Sequence, residues 1–251
     1  MSNFQTYSQY YDLLYKDKNY GVESAYVLSK IKTYSPQAKT ILELGSGSAS
    51  HASYFCSDKY IVSGIERSQE MINQAVSKKI KGFTPILGDI VTTKINQKFD
   101  VVISLFHVIS YLTDNDSLLQ CFQNTYNHLE ENGIFLFDIW YTPAVYHQKP
   151  ETRIKRLENP NIQITRIALP VLDYNRNVVT VNFEVFIKDK KTNELQVLNE
   201  NHPMRHFSIP EIELVAKLSN FEIIKVEEFL TENIASENTW GVCFILKKIV
   251  L

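Results

Sequence analysis

The sequence predicts an α/β protein, a doubly wound sheet carrying an antiparallel β insert, and three observations lead there. From Thr40 as far as Ile139, apolar strand-like runs alternate with amphipathic helical segments, the pattern of a mostly parallel sheet covered on both faces. The stretch Thr40 to Glu66, T-I-L-E-L-G-S-G-S-A-S-H-A-S-Y-F-C-S-D-K-Y-I-V-S-G-I-E, reads as strand, tight glycine turn, helix and second strand, with an acid at the tip of each strand. Between Arg153 and Phe207 the pattern changes to alternating β-type runs separated by Asn, Asp and Lys turns.

In chain order, Phe4 to Tyr15 is rich in tyrosine and reads as a short helix, and Lys16 to Tyr20 as a polar loop. Gly21 to Tyr34 sets Val22, Tyr26, Leu28 and Ile31 on roughly one face of a helix that Pro36 closes. After the strand–helix–strand unit, Gln69 to Lys79 is a helix and Phe83 to Leu87 a third strand, followed by Gly88-Asp89. Phe99 to Leu105 and Gly133 to Ile139 are continuous apolar runs, as in strands buried on both faces, and the helix between them starts at a cap, Asp114. In the insert, Ile162 to Leu169, Val178 to Ile187 and Leu195 to Met204 are strands. Ser208 and Pro210 begin a helix to Leu218, and Phe221 to Phe229 pairs with Thr239 to Lys248 as a terminal hairpin.

Composition narrows the function. A chain of 251 residues, 44% hydrophobic, can bury a full core. A formal net charge of -2 offers no clustered basic face, so nucleic acid is not an expected partner. Cys56, Cys121 and Cys243 are odd in number and each sits in apolar context, so they read as buried thiols of a reducing compartment, with no metal site. No run approaches a membrane span and no apolar signal core opens the chain, so the expectation is a cytoplasmic, soluble protein, monomer or homodimer.

The glycine turn points to a nucleotide-like ligand, because glycine lets the backbone approach whatever lies at the carboxyl ends of the strands. Gly45 and Gly47 alone do not separate a dinucleotide from S-adenosylmethionine. Three details do. Ser50 stands where a dinucleotide site wants its third glycine. Glu43 would repel a pyrophosphate but attract a sulfonium or ammonium group. Asp89, with the backbone of Ile90, is placed to accept from an adenine amine, as Glu66 is to accept both hydroxyl protons of a ribose.

Glu43-Leu-Gly-Ser-Gly, Glu66, Gly88-Asp89, Phe99-Asp-Val-Val-Ile-Ser-Leu-Phe and Gly133-Ile-Phe-Leu-Phe-Asp together resemble the ordered motifs of class I S-adenosylmethionine-dependent methyltransferases. The resemblance implies a Rossmann-like sheet of seven strands with the last antiparallel, S-adenosyl-L-methionine as cofactor, and methyl transfer as the reaction. Ala49 departs from it, standing where many members carry another glycine. Residues 1–140 and 208–251 would form the cofactor domain, and 141–207 a substrate cap.

Tyr11-Asp-Leu, Lys18-Asn-Tyr20, Leu105-Phe-His-Val-Ile-Ser-Tyr-Leu112, Asp138-Ile-Trp-Tyr-Thr-Pro143, Glu200-Asn-His202 and Arg205-His-Phe-Ser are similar to the enzymes that N-methylate nucleotide-linked amino deoxysugars of the desosamine and mycaminose type. By that resemblance Tyr11 and Tyr20 close over the methionine end of the cofactor, and the carbonyls at Leu105 and Phe106 hold its amino group. His107 and Tyr111 are alternative receivers of the amine proton. Trp140 and Tyr141 would wall the acceptor, with His202 and Arg205 reaching it from the insert. Trp240 is expected in the core. An O- or other N-methyltransferase of a small metabolite, a non-catalytic S-adenosylmethionine-binding protein and an NAD-linked oxidoreductase remain as alternatives.

Overall fold

β-Branched and leucine-rich segments with both faces apolar can only be satisfied between two layers of helices, and the chain arranges them so. A computed structural model describes residues 13–14 and 18–250. Tyr11 and most of the tyrosine-rich segment expected as a helix lie outside the described residues.

The described chain divides into two compact units. One comprises residues 20–148 and 206–251. Its sheet runs β3 (Phe83–Leu87), β2 (Ile61–Glu66), β1 (Thr40–Leu44), β4 (Phe99–Ser104), β5 (Leu129–Tyr141), all parallel, then β11 (Gly241–Lys248), which is antiparallel to both β5 and β10 (Phe221–Glu228). These seven strands bear out the sheet expected from the motifs, with the terminal hairpin supplying its antiparallel edge. Because β1 connects outward to β2 while β4 connects outward to β5, the crevice between the tips of β1 and β4 is the switch point where such sheets bind ligands.

One face of this sheet packs against α1 (Tyr20–Tyr34) and α2 (Ser50–Ser57) through Val27, Ile31, Phe55, Ile41, Val101 and Ile245. The opposite face packs against α4 (Asn115–His128) and α6 (Ile209–Leu218). There Phe122 meets Phe135 and Phe137 edge-on, ring centroids 5.4 Å apart in each case, contacts worth about 0.5–1.5 kcal/mol beyond their buried area. Local chemistry starts the helices. Ser68 caps α3 (Gln69–Ser77), accepting from the Met71 N–H, and Asp114 caps α4, accepting from the Ser117 N–H at 2.8 Å. Ser208 and Glu211 form a reciprocal capping box on α6. A short helix, α5 (Thr142–Gln148), follows β5; the sequence pattern did not show it.

The other unit contains residues 149–205 and, of the described residues before Tyr20, 13–14 and 18–19. Its strands β6 (Arg153–Glu158), β7 (Ile162–Asp173), β8 (Val178–Asp189) and β9 (Leu195–Phe207) pair antiparallel in sequence order, β9 through its residues 195–205. Leu13 and Leu14 pack onto Ile162, Ile164, Val185 and Ile187, and the Lys155 ammonium donates to the Leu14 carbonyl at 3.0 Å. β6 went unread because its alternation, R-I-K-R-L-E, is mostly charged, as suits an edge strand.

Candidate functional site

The glycine turn after β1 begins the site. The N–H groups of Gly45 and Ser46 both donate to the Ile65 carbonyl, at 2.8 and 3.1 Å, which bends the chain back over β2. Gly45, Gly47 and Ala49 all have left-handed backbones, φ 72°, 53° and 62°. A Cβ on Gly45 would sit 2.6 Å from a Val108 methyl, and one on Gly64 would sit 2.5 Å from the Ser46 hydroxyl. At Gly47 an added Cβ would meet nothing within 4 Å. The first two glycines are therefore demanded by protein packing, whereas Gly47 opens onto space.

Two acids stand at the strand tips near the turn, Glu66 on β2 and Glu43 on β1. Glu66 takes the Gly47 N–H on Oε2 at 3.0 Å and the Ser68 N–H on Oε1 at 2.8 Å. Each oxygen keeps acceptor capacity for a ribose hydroxyl. Glu43, at the tip of β1, is 2% exposed. His51 on α2 stands between it and α1, with Nδ1 3.6 Å from Glu43 Oε1 and Nε2 2.7 Å from Glu23 Oε2. The Tyr20 ring lies edge-on to His51, centroids 4.9 Å apart. Sequence reasoning missed His51 and Glu23.

At the tip of β3, Asp89 Oδ1 accepts from the Val91 N–H at 2.7 Å, and the Asp89 N–H donates to the Thr93 hydroxyl at 2.8 Å. The Ile90 carbonyl accepts from the Asn124 amide at 3.0 Å, so that backbone is rigidly held.

Beyond β4, Leu105 is buried, and Phe106 and His107 are both left-handed, φ 64° and 59°. Two consecutive non-glycine residues in this region cost on the order of 1–2 kcal/mol each. Asp138, 1% exposed in β5, holds the turn by accepting from the His107 N–H at 3.1 Å. The same carboxylate lies 2.8 Å from Nδ1 of the His107 ring. Trp140 meets that ring edge-on at 6.1 Å and Trp240 meets Trp140 at the same distance. Trp240, expected in the core, is only half-buried; it precedes β11 and donates through Nε1 to Gln148 Oε1, an anchor that a terminal-strand assignment could not anticipate. Tyr141 donates its N–H to the Trp240 carbonyl at 3.0 Å. Tyr111 ends a short 3-10 turn, Val108–Tyr111, with the Arg67 guanidinium 5.5 Å from its ring centre.

Of the remaining sequence candidates, His202 and Arg205 belong to the other unit. His202, in the unit that contains most of β9, has Nε2 3.1 Å from Glu200 Oε2 and its ring edge-on to Phe183. Arg205 stands opposite Val178 in the β8–β9 ladder. Tyr11 is outside the described residues. Burial pushes the Cys56 thiol up to about 11, helped by Glu43, and the Cys121 thiol up to about 12, so neither is a nucleophile at neutral pH. Among the described residues there is no cluster of metal-ligating side chains, and no helix is long and apolar enough to cross a membrane.

A sheet of order 3-2-1-4-5 with an antiparallel strand beside β5, and a glycine turn and two acids at its switch point, is the Rossmann-like architecture of S-adenosylmethionine-dependent methyltransferases. Residues 41–133 match the family model described as a methyltransferase domain. The chain is 26% identical over 138 residues to dTDP-3-amino-3,4,6-trideoxy-alpha-D-glucopyranose N,N-dimethyltransferase of Streptomyces venezuelae, an alignment covering 54% of this chain and 58% of that enzyme. It is 23% identical to dTDP-4-amino-2,3,4,6-tetradeoxy-D-glucose N,N-dimethyltransferase of Saccharopolyspora spinosa, over 70% of each chain. Among solved structures it is similar to an S-adenosylmethionine-dependent methyltransferase from Clostridium acetobutylicum, TM-score 0.82 at 21% identity, over 98% of both chains.

Proposed function

We propose that this protein is an S-adenosyl-L-methionine-dependent methyltransferase that methylates the amino group of a nucleotide-linked deoxysugar. The observation that carries the donor assignment is the open face of Gly47, bordered by the Glu66 carboxylate, beside two glycines whose faces are filled by protein. The residues fit the donor. Glu66 would hold the ribose, Asp89 and Ile90 the adenine, and Glu43, Tyr20 and the backbone at Leu105 and Phe106 the charged methionine end. The acceptor class rests on the relatives named above, which are amino-sugar N,N-dimethyltransferases.

When bound, the donor supplies a methyl group already activated on a positively charged sulfur. The protein's own task is to orient the amine, exclude water and take a proton. A protonated amine has no lone pair, so a proton acceptor at the turn after β4 favours the reactive free base. His107 and Tyr111 are the candidates there, and Trp140 and Tyr141 would wall the acceptor. Three cysteines without a disulfide among the described residues agree with a reducing, cytoplasmic setting.

Titration with S-adenosylmethionine and with NADH tests the donor: binding of the first alone is expected, and binding of NADH alone would sink the reading. Incubation with dTDP-linked amino sugars, followed by mass spectrometry, should show a gain of one or two methyl groups. Transfer only to hydroxyls, protein or nucleic acid would count against the acceptor class.

A further inference from the structure

We propose that Asp138 is the positioning residue of the reaction and His107 its proton acceptor, the histidine being fixed by Asp138 in one tautomer, Nδ1 protonated and Nε2 carrying the lone pair. This deepens the functional reading above and rests on it.

The two residues are far apart in sequence, but the β4–β5 register sets Ser104 beside Phe137, so the next residues of both strands emerge at the same tip. Asp138 there meets His107 twice, through the backbone N–H and through the ring. The ring makes no hydrogen bond to Oδ2, but Nδ1 lies only 2.8 Å from it. A buried carboxylate that close to Nδ1 repels the electron density of an unprotonated nitrogen and attracts the positive end of an N–H dipole, even off axis. The neutral imidazole therefore keeps its proton on Nδ1 and offers Nε2 as a base, the arrangement a carboxylate imposes on a catalytic histidine. The side chain is 22% exposed, so the ring is not sealed in the core. The left-handed pair Phe106–His107 is strained backbone retained where the Asp138 contact holds it, as strain at functional turns usually is.

Tyr111, the alternative base, is engaged differently. Its ring lies under the guanidinium of Arg67, which directly follows the acid assigned to the ribose. That places the phenol with the donor side of the site. In the transfer, the amine lone pair forms the new carbon–nitrogen bond, sulfur retains the electron pair of the broken carbon–sulfur bond, and the displaced proton passes to Nε2 of His107 and then to water.

The tautomer is measured first, by nitrogen-15 NMR of histidine-labelled protein, where His107 should show a protonated Nδ1 and a lone pair on Nε2. Asp138→Asn should mix the two tautomers. Kinetics with S-adenosylmethionine and dTDP-3-amino-3,4,6-trideoxy-α-D-glucopyranose follow. His107→Gln, which leaves Asp138 and the backbone bond in place, should lower kcat about 100-fold, and Asp138→Asn about tenfold, with the donor KM little changed. Both losses should shrink as the pH passes the acceptor amine's own pKa, since solvent then supplies the free base. A merely structural role would show no such recovery. A protonated Nε2 in the wild type, losses that persist at high pH, or Tyr111→Phe losing as much as His107→Gln with the same recovery would each overturn the inference. Amine methylation by a wild type lacking the Nδ1–H tautomer would sink this inference alone. The tautomer without any amine methylation would remove the acceptor reading and the proton-acceptor role together.

Discussion

Nε2 of His51 stands 2.7 Å from Oε2 of Glu23, joining α2, which follows the glycine turn, to α1, which precedes β1. With Nδ1 turned toward Glu43, the imidazole separates two carboxylates that would otherwise repel each other in a buried space. His51→Ala should therefore loosen Glu43 and weaken S-adenosylmethionine binding about tenfold, equivalent to about 1.4 kcal/mol. Calorimetric titration reads this directly. An unchanged affinity would show that Glu43 holds its place without the histidine.

Gly45 and Gly47 separate packing from ligand contact. Gly45→Ala combines a left-handed alanine with a 2.6 Å clash against Val108, so a stability loss of about 2–4 kcal/mol is expected, partly recovered in a double variant with Val108→Ala. Gly47→Ala should lose only about 1–2 kcal/mol from its backbone but forfeit most donor affinity, because the methyl enters the open face. Denaturant melts and donor titrations on both variants distinguish the two. Equal donor losses at the two positions would argue against a ligand beside Gly47.

The fold and the grouping of the glycine turn with Glu66 were legible because their signals are local. Glycines two apart after an apolar run, acids at strand tips and alternating periodicity each lie within one element, and strand order follows from their sequence. What was not legible depends on partners brought together by the fold. His51 reads on α2 as one polar residue among several, and Glu23 lies 28 residues away. The Asp138–His107 pair spans 31 residues and follows only from knowing that β4 and β5 are neighbours in register. The Arg67 contact that engages Tyr111 likewise joins two different strand tips.

Glu227 in β10 gathers three donors: the Tyr26 hydroxyl at 2.6 Å, the Lys30 ammonium at 2.5 Å, and Lys225 at 3.3 Å. Burial acts to raise its pKa, but the bonds from Lys30 and Tyr26 outweigh that and hold it below the usual carboxylate range. Burial likewise acts to lower Lys30, and its bonds to Glu227 and Glu232 leave it raised. The carboxylate's contribution is thus present above its unfolded pKa and lost as pH falls through its lower folded value. The ammonium's is present below its unfolded pKa and lost as pH rises through its higher folded value. Glu227→Gln should cost about 3–5 kcal/mol at neutral pH, because it leaves Lys30 buried with one carboxylate fewer. A Tm unchanged by the substitution would contradict this.

Asp100 ties the start of β1 to β4. Its Oδ2 accepts from the N–H of Lys39 at 2.8 Å, from the N–H of Thr40 at 2.9 Å and from the Thr40 hydroxyl at 2.8 Å. Partial burial opposes ionisation, yet these bonds prevail and the carboxyl titrates below its ordinary value. Its stabilisation is complete above the unfolded pKa, about 3.9, and declines as acid takes the pH down through the folded value. Asp100→Asn keeps the shape but turns one acceptor oxygen into a donor and removes the charge. About 1–3 kcal/mol should be lost at pH 7. The gap between wild type and variant should narrow below pH 4, as the wild-type carboxyl is itself protonated. Parallel denaturant titrations at pH 7 and pH 3 measure that gap, and a constant difference would mean that the charge at Asp100 contributes nothing to holding β1 against β4.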